Sequence, residues 1–485
     1  MQRFPWYSWA GLTFLAAGPC PAADFADLLR RVPAQANSVL LVDVDAVHRS
    51  PMGAKDGWAK NSERDSLTGV ESLPAAIEKL VIGAQISPTT LDAAWRVGVA
   101  STRTAMTPAQ LATAEGGTTD ELGGRQVIIS PRNTYYTMLA PQTVGAMHPA
   151  NRQEFARWLR TTGSLSPYLA EATGKASAPV FLALDLTDVF DPPGLRGKLA
   201  ASKIIAGHEA HLDAIVRAIA GLKGVRLAVQ VAPTLRGELT LDGDAVSGLT
   251  PVAKALVLTA LDASGNAVED LEAWKVQSSG ASVVLSGSLT ERGLRQLVSE
   301  LLSPAVTATS QAAPSKNAPG KPSVEASQRY FRSVAKLLNE LQKQKQSTYN
   351  NLARAYQNYA QQIDELPLLG VDPDLQTYGA QVAVTLRGLA TLGKATLSQG
   401  QMLSIQRADA AVQTSGSAPY GNAYWGYGYA PTTQTTNVSN APQINSLIAQ
   451  AGANERVIRQ QTWANIDKAT ADIRRKMVAK YQVEF

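Results

Sequence analysis

The stretch Ser38–Pro51, SVLLVDVDAVHRSP, sets the reading of the first half of the chain. It is an apolar run ending in Asp43, followed by a short polar turn, which is the pattern of a strand handing over to a helix. The same pattern returns at Pro179–Pro193, PVFLALDLTDVFDPP. Further matches keep the spacing. Ile77–Ile86 (IEKLVIGAQI) pairs with Leu222–Val231 (LKGVRLAVQV), and Asp92–Ser101 (DAAWRVGVAS) pairs with Pro233–Asp242 (PTLRGELTLD). Ala150–Arg160 and Thr290–Leu302, both amphipathic helices, close the two units. An offset that stays at about 140 residues throughout predicts an internal duplication. Each unit reads strand, helix, strands, helix, strands, helix. Alternation in RVGVAS and GELTLD predicts antiparallel strands with one wet face. RQVIIS, TYYTMLA and TVGAM, separated by PRN and PQ, predict a meander.

The expected fold class is therefore α+β, with two related units at 24–176 and 177–302, their sheets backed by helices and packed as one body. Ser303–Ser323, rich in Pro, Ala and Ser, reads as a linker. Beyond it, Phe331, Val334, Leu338, Leu341, Leu352, Tyr359 and Ile363 recur at coiled-coil spacing, interrupted at Lys345 and Thr348. One helix of about 43 residues would reach about 64 Å. Leu375–Leu403 and Pro442–Tyr481 follow as helical stretches, the last with Ile444, Ile448, Ala451, Ile458, Ile466, Ile473 and Tyr481 on one face. Residues 324–485 are expected to form an elongated antiparallel bundle.

Among 485 residues the formal charge is +5. From Lys321 onward there are 17 Lys+Arg against 11 Asp+Glu, so the basic excess belongs to the helical part. Spread over that length it is too thin for a nucleic-acid face. Residues 1–23 resemble a secretory signal peptide, with Arg3, an apolar run from Trp9 to Gly18 and Pro21-Ala22-Ala23. Pro19 stands where a lipobox needs a small residue, which argues against lipidation at Cys20. Cleavage after Ala22 or Ala23 would leave no cysteine, hence no disulfide and no thiol nucleophile. No later run reaches the length of a membrane helix. Export to the periplasm, cell envelope or exterior is the expectation, with no integral membrane segment after signal removal.

Arg329–Gln342 (RYFRSVAKLLNELQ), Tyr359–Gly388, the Tyr/Gly-rich loop and the ending ADIRRKMVAKYQVEF are similar to a helical module in uncharacterised exported proteins of planctomycete-type bacteria. The opening VPAQANSVLLVDVDAVHRSP resembles the front end of another such group. The resemblance implies export and a helical C-terminus, and carries no activity.

Candidate chemistry is sparse. His208 and His211 in HEAH are three apart, where the zincin pattern needs four and a third ligand. Asp43 and Asp45 share a strand face and could divide acid and base roles, but Asp45 and Thr187 are good helix caps. Asn151–Glu154 reads as a capping box. Gly388–Ala395 (GLATLGKA) misses the phosphate loop at Ala395 and lies within a helical pattern. No metal or other cofactor is expected. The remaining lead is the loop 410–441, which carries no charged residue and holds Tyr420, Tyr424, Trp425, Tyr427 and Tyr429 among glycines. Those rings could stack on sugars, clamp a protein, pack on neighbouring helices or serve as a spacer. The leading expectation is a non-enzymatic protein that binds or holds a protein or polysaccharide of the envelope. The alternative is a hydrolase or ligand-binding protein with Asp43 or Asp45 in a cleft between the units. Adsorption of the basic helices to an anionic surface is a third reading.

Overall fold

The computed structural model describes residues 25–61, 69–88, 90–160, 163–299, 301–302, 322–344, 349–392 and 441–485. In chain order, the first part runs α1 (Ala26–Leu29), β1 (Ser38–Asp43), α2 (Val44–Arg49), α3 (Pro51–Asp56), α4 (Trp58–Asn61), β2 (Ile77–Ile86) and β3 (Ala93–Thr102). Next come α5 (Pro108–Glu115), β4 (Thr118–Leu122), β5 (Arg125–Ser130), β6 (Thr134–Ala140), β7 (Thr143–His148), α6 (Arg152–Arg160) and α7 (Pro167–Gly174). Then follow β8 (Val180–Asp185), α8 (Pro192–Ala200), α9 (Leu212–Ala220), β9 (Leu222–Val231), β10 (Leu235–Gly243), α10 (Ala253–Ala263), β11 (Lys275–Ser279), β12 (Ser282–Leu289) and α11 (Glu291–Val298). The C-terminal helices are α12 (Val324–Lys343), α13 (Tyr349–Asp364), α14 (373–392) and α15 (Ala441–Tyr481).

The strands form one antiparallel sheet of twelve, ordered β11-β12-β10-β9-β8-β1-β2-β3-β7-β6-β5-β4. The two sheets expected from the sequence are thus a single sheet, joined where β1 pairs with β8. Leu40 stands opposite Leu182 in that ladder, and Asp43 N donates to Pro179 O at 2.8 Å. β5, β6 and β7 make the expected meander beside β4 at one edge.

All six residues of β1 are buried, because both faces of the sheet are covered here. Leu40 and Val42 enter one core with Leu80, Ile82 and the α9 residues Ile215 and Ile219. Val39 and Leu41 enter the other, with Phe155 and Trp158 of α6 and Leu169 of α7. The wet face expected for RVGVAS is absent for the same reason: Arg96 through Ala100 are buried. It does occur in β10, where Arg236 and Glu238 are exposed between Leu235, Gly237 and Leu239. Trp274 lies across the sheet where Gly237 and Gly287 leave room; a Cβ on either glycine would come within 2.4 Å of the indole.

The C-terminal helices share a third core, built around Phe331, Val334, Leu338, Tyr359, Leu386 and Met477. The long helix expected from Phe331 to Ile363 is instead two helices. α12 stops at Lys343, and Gln344 takes an extended conformation, ψ 123°. That end comes just before Lys345, the first interruption of the apolar repeat in the sequence, and α12 and α13 pack against each other. α15, about 61 Å long at 1.5 Å per residue, turns Trp463, Ile466, Ile473 and Met477 inward. Ile458, expected on that face, is 46 % exposed, and Val457 beside it is 60 % exposed. No helix among the described residues is long and apolar enough to cross a membrane.

Candidate functional site at the seam between the sheet and the C-terminal helices

Tyr420, Tyr424, Trp425, Tyr427 and Tyr429 lie outside the described residues, as do the N-terminal segment 1–23 and most of 303–323. The other candidates are placed. Asp43 caps α2, accepting from Ala46 N at 2.8 Å. The cap is therefore Asp43, not Asp45, because the strand runs to Asp43 and the helix starts at Val44. Asp45 pairs instead with Arg103. At the corresponding place in β8, Asp185 accepts from Thr187 N at 2.9 Å and from the Ser166 hydroxyl, so Thr187 is not a cap either. Asn151 accepts from the amides of Gln153 and Glu154, as a cap does. Glu209 and His211 are exposed at the start of α9, with Glu209 accepting from Gly207 N. Among the described residues no group of three or more His, Cys, Asp or Glu is placed to hold a metal ion.

What the structure brings together is a set of buried charges where the C-terminal helices meet the sheet. Arg96 of β3 and His148 of β7 stand directly opposite each other across the ladder. Glu365, just past the end of α13, reaches both, with its Oε1 at 3.6 Å from Arg96 Nη1 and 3.6 Å from His148 Nε2. The Thr134 hydroxyl lies 3.2 Å from His148 Nδ1. Beneath them Arg132 pairs with Glu115 at the end of α5 and donates to the Tyr136 hydroxyl at 3.3 Å. Burial pushes His148 below its ordinary value, against the pull of the Glu365 carboxylate and with the help of Arg96. Burial also drives Tyr136 far up, so it stays neutral and acts as a hydrogen-bonding group. For Arg132 burial opposes the charge, but the Glu115 carboxylate paired with it outweighs burial and holds the guanidinium protonated.

A second junction centres on Arg295 of α11. Its Nη1 donates to Glu71 at 2.6 Å, and its Nη2 pairs with Glu340 of α12. Arg292 Nη2 donates to the Glu340 carbonyl at 3.3 Å. Glu71 lies in the turn between α4 and β2, so one guanidinium ties three parts of the chain. Burial lifts Glu291 above the usual carboxylate range, with the Glu71 charge adding to it.

Between the junctions, Gln344 at the end of α12 and side chains of α13 cap the C-terminal end of α10. Gln344 donates to Gly265 O at 2.8 Å, Asn358 to Ser264 O at 2.9 Å and Arg354 to Ala263 O at 3.3 Å. Asn351 donates to Asp262 at 2.7 Å, and Arg354 also pairs with Asp92 at 3.1 Å. The last carbonyls of a helix have no partner within it and carry partial negative charge, so side-chain donors and a guanidinium suit this position.

Chemically this arrangement is a fastening. Each buried carboxylate faces a guanidinium, and the pairs cross from one part of the chain to another. None of these residues stood out in the sequence as a site. The available signal was a lone charge in an apolar context, Arg96 in AAWRVGVAS and Glu340 in LLNEL, because such a residue is buried only with a partner.

No family model and no curated protein matches the sequence. Three crystal forms of the treponemal protein TP0453 are similar to it in structure, at 10 %, 12 % and 10 % identity and TM-scores of 0.31, 0.31 and 0.30. They cover 56 %, 59 % and 56 % of this chain, and 97 %, 100 % and 96 % of their own. At those TM-scores the likeness carries neither fold nor function.

Proposed function

We propose that the protein is exported and acts in the cell envelope by binding or structural contact, without catalysis. Its partner would be a protein or polysaccharide, engaged by α15 and the uncharged segment before it that holds Tyr420, Tyr424, Trp425, Tyr427 and Tyr429. The observation that carries this reading is α15 itself. Of its described side chains only a narrow stripe is covered, and Val457 and Ile458 remain exposed close after that segment. The engagement of Asp43 in a cap, of Asp45 with Arg103, and of β1 with β8 in a hydrogen-bonded ladder favours binding over a cleft enzyme. A pull-down from envelope extract, with full-length protein and with 410–440 deleted, tests it. Partners lost on deletion support the role, and retention of every partner sinks it. Export predicts a mature N-terminus at Ala23 or Asp24, read by mass spectrometry of the secreted chain; an intact Met1 in the envelope fraction would contradict cleavage.

The sheet is further read as two repeats. β1 and β8, β2 and β9, β3 and β10, and α6 and α11 start about 140 residues apart. The paired strands lie in mirrored order on either side of the β1–β8 pair, whereas α6 packs into the core on one face of the sheet and α11 into the core on the other. A two-fold axis between Leu40 and Leu182 should superpose the four strand pairs β1/β8, β2/β9, β3/β10 and β7/β12 without the closing helices, and strands that do not superpose would break the reading.

A further inference from the structure

We propose that the contact of Glu365 with Arg96 and His148 is an acid-operated latch, in which charging the His148 imidazole releases α13 from the sheet. The geometry supplies the reason. Arg96 and His148 are cross-strand partners on neighbouring strands, where two like charges repel. Among the described residues of this cluster, Arg96 and Arg132 stand against Glu115 and Glu365. Glu365 is the member of that set that comes from the C-terminal helices. The Arg96, Glu365 and His148 side chains are only 5 %, 9 % and 13 % exposed, so solvent does little to screen them. A proton on His148 adds one positive charge beside Arg96 and Arg132, with Glu365 the carboxylate it faces and shares with Arg96. Opening the seam lets water solvate the whole set, so the open state takes the proton more readily.

The groups facing His148 are Glu365 from the end of α13, Arg96 from β3, Arg132 and the Asn133 backbone from the β5–β6 turn, and the neutral Thr134 from β6. Burial, the largest influence, holds the docked imidazole below its ordinary value of 6.5. A group with a depressed value in the closed state takes up a proton on opening. The stability it leaves to the seam is therefore intact above about pH 6.5 and falls as the pH drops below it. The opening constant then rises by up to about tenfold per pH unit, until the docked imidazole itself titrates. His48, also buried and also held low, sits on α2 beneath β2 and is not part of this contact.

Hydrogen exchange on the full chain, read by peptide mass spectrometry and corrected for intrinsic rates, tests the latch between about pH 7.5 and 5.5. Protection over 349–364 is expected to fall by up to about tenfold between these points while β8, β9 and β10 keep theirs. His148→Gln should remove the pH dependence, and Glu365→Gln should loosen 349–364 already at the higher pH. Protection of 349–364 that is unchanged by acid, a pH response that survives in His148→Gln, or a loss shared equally by the whole sheet would overturn the proposal. Should His148→Gln not fold, Glu365→Gln decides it: seam protection equal to the parent at the higher pH is the contradicting result.

Discussion

The interior of the sheet and the seam behind it are held by different means. In the sheet, β1 sends Leu40 and Val42 to one face and Val39 and Leu41 to the other, and both faces meet apolar side chains. At the seam the polar contacts include Arg295 with Glu71 and Glu340, Glu365 with Arg96 and His148, and amide side chains on the carbonyls ending α10. Apolar burial is non-directional and is lost only by unfolding. A charge-paired seam depends on every partner being present, and water can replace it. The first region makes a permanent body, and the second makes an attachment that chemistry can undo.

Two substitutions should show the contrast most strongly. Trp274→Ala removes a side chain that is 1 % exposed and whose Nε1 donates to Ser288 O at 2.8 Å. It is expected to cost about 3–5 kcal/mol in denaturant unfolding. Arg295→Met leaves Glu71 and Glu340 buried without their guanidinium and should cost a similar 3–5 kcal/mol or so. The two then diverge. Replacing Glu71 and Glu340 by Leu in the Arg295→Met background should recover most of the loss, since a wholly apolar replacement of a buried ion set is tolerated. A triple variant no more stable than Arg295→Met would show that this junction does not behave as a charge set.

Smaller effects should mark the seam alone. Gly265 has φ +83°, and a Cβ there would lie 2.8 Å from the Ala355 amide nitrogen. Gly265→Ala is expected to cost about 1–3 kcal/mol and to raise exchange in α13 before it affects the sheet. A uniform rise across the sheet would place its strain elsewhere. Asn358→Ala, which frees Ser264 O, should cost about 1 kcal/mol by the same denaturant measurement. Val457→Ser, on the exposed face of α15, should stay within about 0.5 kcal/mol of the parent. A larger loss would mean that this face is covered in the folded chain.

Much of the sheet was legible because its information is periodic. Val39 to Val42 and Leu222 to Val231 carry their strand character in consecutive residues, and Asn133 and the Pro-containing turns punctuate the meander. The mistaken wet face of β3 arose because Arg96, Gly98 and Ala100 alternate with Val97 and Val99, whereas all five are buried. The break after Lys343 was visible as an interruption, but its consequence, two helices packed together, was not. The seam was illegible for a different reason. Glu365 meets Arg96 across 269 positions of sequence, and nothing local distinguishes either from a solvated charge. Pairing across such distances is a property of the folded topology.

The central claim, that the C-terminal helices are fastened to the sheet by buried charge pairs, is tested most directly by a double-mutant cycle on Arg295 and Glu340. Arg295→Met, Glu340→Gln and the double variant are unfolded by denaturant alongside the parent. A coupling energy of about 1.5–3 kcal/mol is expected for a charged hydrogen bond at a buried site. Single losses that add to within about 0.5 kcal/mol would contradict the claim.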